Sequence, residues 1–203
     1  MKELFNTKNI VLMAVFSALS GVLMVWEFPI PFIAPSFYEI DLSEIPVLIG
    51  SFIMGPVAGV IMEAVKILVK LMIKGTTTAY VGDFANFCVG CCLIVPASIV
   101  YQKMKTKKGA LIGMGIGTLT MAVAGVALNY FIMIPFYVKA FGMPLHKIIN
   151  AGAGINPWVS NKFTFVLICV APFNIVKGLI DSFVTFVLYK RISTFIKGIG
   201  NAK

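Results

Sequence analysis

At 203 residues, with 59% hydrophobic and only 12% charged side chains, the chain departs from soluble domains, in which about 25% of residues are charged, and calls for lipid as its solvent. Its formal charge of +9 would suit nucleic acid in a soluble protein. Here the lysines form short clusters beside apolar runs, as topology signals do, and no basic face with interleaved aromatics is present, so nucleic-acid binding is excluded. A hydrocarbon core about 30 Å thick takes roughly 20 apolar residues per helix, which leaves room for five or six spans in one membrane domain, 1–203.

The first apolar run, Ile10 to Val25, has no small-residue cleavage site followed by a polar mature chain, and reads as a first span rather than a removable signal. Ala14 and Ala18 stand four apart on it, with Ser17 and Gly21 nearby. Such spacing admits a second helix closely in a membrane, and packing within the chain is the plainer alternative. Trp26 to Glu44 follows, with Glu27, Glu39, Asp41 and Glu44, four of the eight acidic residues. Pro29, Pro31 and Pro35 stiffen it, and Trp26, Phe28, Phe32, Phe37 and Tyr38 supply rings. It reads either as a lid that stacks and hydrogen-bonds a ligand, or as an interfacial aromatic belt with a solvated acidic stretch.

Ile45 to Ile73 is too long for one comfortable span and is interrupted by Gly55-Pro56, a helix-breaking pair. Glu63, Lys66 and Lys70 recur at helical spacing in its second half, where Glu63 and Lys66 are read as neutralising each other. Gly75 to Phe87 (G-T-T-T-A-Y-V-G-D-F-A-N-F) is a polar turn into a helix, with Thr78, Asp83 and Asn86. Asp83 lies near the positive end of the helix dipole, where capping alone would explain it. Cys88, Cys91 and Cys92 on the next run, and Cys169 later, lack metal-ligand neighbours and read as small hydrophobes. Asn129 and Tyr130 fall deep in the run Ala110 to Tyr137. The last run, Phe163 to Tyr189, carries Asn174, Lys177 and Asp181. Lys177 and Asp181 are four apart and able to pair, while Asn174 and Lys177, just after Pro172, present an amide and an ammonium suited to the carbonyl and imide edge of a planar heterocycle.

Charge selects the topology. Lys2 and Lys8, the loop Lys103, Lys105, Lys107 and Lys108, and the group Lys190, Arg191, Lys197 and Lys203 all belong on the cytoplasmic side. That is met only if Gly55-Pro56 splits the second run. The expectation is an all-α integral membrane protein of the cell membrane, with six helices at about 9–25, 44–54, 56–73, 83–101, 110–137 and 163–189. Both termini are then cytoplasmic, and an extracellular lid loop occupies 26–43.

Four stretches together resemble the riboflavin-specific substrate-binding (S) components of energy-coupling-factor (ECF) transporters. They are F-P-I-P-F-I-A-P-S-F-Y-E-I-D-L-S-E-I-P from Phe28 to Pro46, L-I-G-S-F-I-M-G-P from Leu48 to Pro56, the Gly75 to Phe87 turn, and P-F-N-I-V-K from Pro172 to Lys177. The resemblance implies the six-helix S-component fold, with riboflavin as transported ligand rather than cofactor, held under the loop between the first two helices. It also implies docking through Ala14 and Ala18 onto a transmembrane coupling subunit driven by two ATP-binding cassette ATPases. Carried onto this chain, it puts Asn174, Lys177 and Asn129 on the pyrimidine edge. Glu39, Asp41 and Thr78 go to the ribityl hydroxyls, Asn86 to the start of the fourth helix beside the ligand, and Tyr130 along the ring. Asp83 stands where the related motif carries Glu.

The alternatives are an S component for another vitamin and a self-sufficient secondary transporter, although only one broken helix is seen where inverted repeats would give two. An enzyme would need an acid, base or nucleophile constellation. The single histidine, His146, falls in an expected outer loop, and no phosphate-binding loop motif is present, so ATP hydrolysis belongs to a partner.

Overall fold

The structure is a computed structural model and describes residues 5–201. Helix α1, Thr7–Val25, begins at Asn6, whose side chain accepts the Asn9 N–H at 2.8 Å. Its periodicity divides it cleanly. Met13, Ser17, Ser20, Gly21 and Met24 are buried, whereas Val11, Val15, Leu19 and Val22 are exposed. An apolar outer face with small polar groups turned inward reverses the soluble pattern and suits a lipid surround. Ala14 and Ala18 lie on the exposed face.

The segment after α1 departs from a purely helical expectation. Phe28–Pro29 (β1) and Glu39–Ile40 (β2) pair antiparallel, so 26–43 is a short ribbon closed by a proline-rich bend. Helix α2, Glu44–Met54, stops at Gly55, whose φ of +96° is open to glycine and strained for other residues. Pro56 then opens α3, Pro56–Lys74. Lacking an N–H, Pro56 leaves the Phe52 carbonyl without its helical donor. Gln102 Nε2 supplies one at 2.8 Å, and Ser98 donates its hydroxyl to the Ser51 carbonyl at 2.8 Å. Both donors come from α4, Val81–Met104, so the break is hydrogen-bonded rather than loose.

Helix α5, Lys107–Leu128, packs on α4 through glycine. A Cβ at Gly113 would lie 2.6 Å from the Ala97 carbonyl oxygen, and one at Gly117 2.3 Å from that of Leu93. Backbones approach this closely only where the side chain is absent. A π turn, Asn129–Met133, carries α5 into α6, Ile134–Ala140. A second π turn, Val166–Val170, joins α8, Lys162–Phe165, to the long α9, Ala171–Asn201. Each π turn ends two residues before a proline, Pro135 or Pro172. The ring clashes with the carbonyl four residues back and removes one donor, and a widened turn accommodates both effects.

Thr7–Val25, Val81–Met104, Lys107–Ala140 and Lys162–Tyr189 are long and apolar enough to cross a membrane. The sequence expectation is six spans, and the helices expected as the second and third, α2 and α3, are not among these four. At 11 residues, α2 is only about 16 Å long, and α3 carries Glu63, Lys66 and Lys70, all buried. The expected outer loop between α6 and α8 also differs, because it contains α7, Leu145–Ala153, which buries Ile148 and Gly152 and leaves His146 exposed. The basic residues Lys2, Lys190, Arg191, Lys197 and Lys203 lie outside the described side chains.

Two apolar clusters form the core. One gathers Phe52, Leu93, Ile94, Met114, Tyr101 and Tyr189, with the two tyrosine hydroxyls 2.7 Å apart. The other joins Ala34 and Ile40 of the ribbon to Ile134, Ile148, Phe165 and Phe173. Gly117→Ala is expected to force α4 and α5 apart at an overpacking cost of about 1–3 kcal/mol, read as a lower thermal midpoint in detergent. Gly115→Ala, where nothing lies within 4 Å, is expected to leave the midpoint unchanged or slightly raised. Equal midpoints for the two variants would contradict this packing.

Candidate functional site

A cavity of about 480 Å³ lies beneath the ribbon, within the range that holds small organic ligands. The ribbon contributes Phe37, Tyr38 and Glu39, α2 its first residue Glu44, and the α3–α4 turn Thr77 and Thr78. Helix α4 brings Asp83 and Asn86, the first π turn Asn129 and Met133, α6 Tyr137, and α9 Phe173, Asn174 and Lys177. Aromatic and aliphatic walls thus share one space with the amides of Asn86, Asn129 and Asn174 and the ammoniums of Lys70 and Lys177. The π turns matter here because Asn129 belongs to one of them, and Phe173 and Asn174 come within a turn of the other.

Six of the eight sequence-expected binding residues, Glu39, Thr78, Asn86, Asn129, Asn174 and Lys177, line this cavity together. Asp41 stands behind it, with Oδ2 2.7 Å from Lys177 Nζ and Oδ1 accepting the Ser43 N–H at 2.8 Å. Tyr130 lies elsewhere. Its ring meets Phe131 and Phe163 edge-on, and Lys162 Nζ sits 4.0 Å from its centroid, a cation–π contact. One position after Asn129, it is roughly a quarter turn further round the helix. The rings that do line the cavity are Phe37, Tyr38, Tyr137, Phe141 and Phe173. Sequence reasoning singled out neither Phe173 nor Tyr137 for the site. Phe173 sits beside Asn174 in the quoted motif, and Tyr137 is two turns beyond Asn129.

Several bonds hold the ribbon down. Tyr38 donates its hydroxyl to Asn129 Oδ1 at 2.6 Å, and Asn129 Nδ2 donates to the Gly125 carbonyl at 2.8 Å. Lys74, at the end of α3, pairs with Glu27, and Asp41 pairs with Lys177. Burial alone would raise the Asp41 carboxyl, but the Lys177 and Lys66 ammoniums outweigh it and hold it below the ordinary carboxylate range. Glu39 goes the other way. Partial burial and the facing Glu27 carboxylate raise it, against the weaker pull of Lys74.

Beneath the cavity lies a layer of buried charge. Lys66 Nζ is 2.8 Å from Glu44 Oε1 and 2.7 Å from Glu63 Oε2, so the pairing read from the Glu63–Lys66 spacing is present and Glu44 joins it. Lys70 Nζ is 2.6 Å from Asp83 Oδ1, while Thr76 donates to Asp83 Oδ2 at 2.7 Å. Asp83, in the first turn of α4, therefore neutralises Lys70, and its side chain caps no helix N–H. Lys177 takes Asp41 as its hydrogen-bonded partner instead of Asp181, whose two oxygens have no hydrogen-bond partner among the described residues. Ion pairs so fully removed from water hold only when both members are present. Among the described residues no group of His, Cys, Asp and Glu is arranged to hold a metal. Such an arrangement suits capture of a flat, partly polar molecule.

The family model for the ECF transporter substrate-specific component matches residues 8–189. The riboflavin transporter RibU of Staphylococcus aureus (strain TCH60) is 32% identical over 194 residues, which cover 96% of this chain and 95% of that protein. The riboflavin transporter FmnP of Bacillus subtilis (strain 168) is 29% identical over 193 residues, covering 95% of each. A solved S component of a bacterial ECF transporter superposes with a TM-score of 0.73 at 32% identity, over 94% of this chain and 98% of that one.

Asp41→Asn leaves Lys177 buried without its hydrogen-bonded counter-charge, at an expected cost of about 3–5 kcal/mol, read as a lower thermal midpoint. Because the native Asp41 carboxyl is held low, its contribution is complete above the ordinary carboxylate range and is lost as pH falls through the depressed value. The wild type is therefore expected to lose stability in acid more steeply than the asparagine variant. Parallel acid profiles would contradict the pairing.

Proposed function

The chain belongs to the substrate-specific components of ECF transporters, and from that membership we propose that it captures riboflavin for import. The observation that carries the reading is the single cavity in which Asn129, Asn174 and Lys177 share space with Tyr38, Tyr137 and Phe173, in a chain that resembles riboflavin transporters along nearly its whole length. A flavin has a flat ring system with one polar pyrimidine edge and a hydroxylated tail. The aromatic walls take the ring faces. Lys177 and the amides of Asn174 and Asn129 take the pyrimidine edge, and Thr78, Asn86 and Glu39 take the ribityl hydroxyls. Asp41 acts through Lys177, whose ammonium it holds in place.

The protein sits in the plasma membrane as a multi-pass chain. Six crossings, with α2 and α3 as the second and third, place the lysine loop Lys103 to Lys108 and both ends in the cytoplasm and the ribbon outside as a lid. The exposed Ala14 and Ala18 on α1 offer the flat face through which a coupling subunit, driven by two ATP-binding cassette ATPases, takes hold. Membership in a family of transporter components supports this division of labour, in which the chain binds and its partners hydrolyse ATP.

The reading is tested by purifying the protein in detergent, recording its absorbance and titrating riboflavin against tryptophan fluorescence. Flavin bands or saturable quenching at one equivalent are expected. A colourless protein indifferent to riboflavin would overturn the assignment and point to another vitamin. Lys177→Ala is expected to weaken riboflavin about 10- to 100-fold, the value of one hydrogen bond to a charged group. Ala14→Leu with Ala18→Leu is expected to leave binding intact while abolishing ATP-dependent uptake into vesicles carrying the partner subunits. Unimpaired uptake would remove that face from the docking surface.

A further inference from the structure

Two of the amides that line the cavity, Asn129 on the first π turn and Asn174 on α9, meet at one residue that stands behind the lining, Gly125 of α5. Gly125 is buried, and its carbonyl accepts twice from Asn129, from the backbone N–H and from Nδ2 at 2.8 Å. Asn174 covers its Cα. A Cβ built on Gly125 would fall 2.5 Å from Asn174 Nδ2, 2.8 Å from Cγ and 3.1 Å from Oδ1, so the carboxamide occupies the space that a side chain would take. Gly125 lies within α5 and is not one of the glycines with positive φ. Its backbone conformation is open to any residue, and the property used here is the missing Cβ.

The two amides are held alike. Asn174 Nδ2 donates to the Val170 carbonyl four residues back at 2.9 Å, as Asn129 Nδ2 donates to Gly125. Asn129 Oδ1 is taken by the Tyr38 hydroxyl. Asn174 Oδ1 has no partner among the described residues, and it is not shut in as the unpaired Asp181 oxygens are, so it is the amide oxygen this wall offers to the cavity. Gly125 also differs in kind from Gly113 and Gly117. Those two face α4 carbonyls, which move only if the helices part, whereas Gly125 faces the end of a side chain, which can yield. A methyl 2.5 Å from Nδ2 stands about 1 Å inside ordinary contact and displaces the amide by about that much. Polar groups that read a ligand have to stand within about 0.5 Å of their productive geometry. A methyl here therefore spoils the amide's aim while leaving the bundle closed.

We propose that Gly125 is a positioning residue for recognition of the ligand's polar heterocyclic edge, its missing side chain seating the Asn174 carboxamide while its carbonyl sets the Asn129 amide. The assignment rests on the riboflavin reading and deepens it by giving the reason both amides are preset for that edge. Gly125 touches no ligand and acts through the amides. Alanine at this position keeps the carbonyl, and with it both bonds to Asn129, so its effect passes through Asn174.

The test is a cycle of Gly125→Ala and Asn174→Ala, singly and together, each titrated with riboflavin by tryptophan quenching. Each single variant is expected to weaken riboflavin about 3- to 10-fold, the value of one neutral hydrogen bond. The double variant is expected to bind as Asn174→Ala does, because the added methyl has no amide left to displace. A merely structural role for Gly125 loosens the bundle in either background and gives losses that multiply, which would overturn the proposal. Binding by Gly125→Ala as tight as that of the wild type would overturn it as well. If Gly125→Ala does not fold by itself, the double variant decides. It is expected to fold and to match Asn174→Ala, and a double variant that fails to fold or binds more weakly contradicts the proposal. Failure of the wild type to bind riboflavin removes the riboflavin reading itself, and the Gly125 assignment falls with it.

Discussion

An ammonium buried inside a bundle with a lipid-facing surface needs a carboxylate at contact distance, and Lys66, Lys70 and Lys177 each have one. The cost of desolvating these charges dictates much of the architecture. The pairs join parts of the chain far apart in sequence: Lys66 and Glu44 tie α3 to α2, Lys70 and Asp83 tie α3 to α4, and Lys177 and Asp41 tie α9 to the segment leading into α2. The apolar residues that would fill such an interior in water are outside instead, as Val15, Leu119, Val123 and Phe183 show. The polar interior and the apolar exterior are two consequences of one solvent.

The cavity is where this charged layer meets the covering ribbon. Its depth is set by backbone irregularities as much as by side chains. Gly55 ends α2 early and Pro56 starts α3, while Pro135 and Pro172 each follow a π turn that re-aims the residues around it. Asn129 bonds the ribbon through Tyr38 and lines the cavity at the same time. Lys177 likewise holds Asp41 and faces the cavity, so a ligand that touches either residue also senses the ribbon above it.

Much of the site was legible because charge in a membrane is conspicuous. Asn174 and Lys177 stood out inside an apolar run, and they line the cavity together. Glu39, Asp41 and the rings of 26–43 stood out by density, and that segment covers the cavity as a ribbon. Pairing was harder to read. Periodicity brings Lys177 to Asp181 on its own helix, but the partner chosen, Asp41, is 136 positions away, and nothing local announces it. Tyr130 was placed by its neighbour, and a π turn, which helical spacing does not foresee, carries it to Lys162. Gly113, Gly115 and Gly117 of α5 look alike in sequence, and only the facing α4 carbonyls at Gly113 and Gly117 set those two apart. The charge pattern argues for six crossings, whereas length and composition mark four helices among the described residues; α3 carries three buried charges and α2 is short.

The central claim is that the space beneath the ribbon is a flavin site, and the most direct measurement is an experimental structure of the protein with riboflavin added. The account predicts density for a tricyclic ring beneath Phe37 and Tyr38, with its pyrimidine edge within hydrogen-bond distance of Lys177 and Asn174 and its tail toward Thr78. A flavin bound anywhere else, with this cavity unchanged and empty at saturating riboflavin, would contradict it.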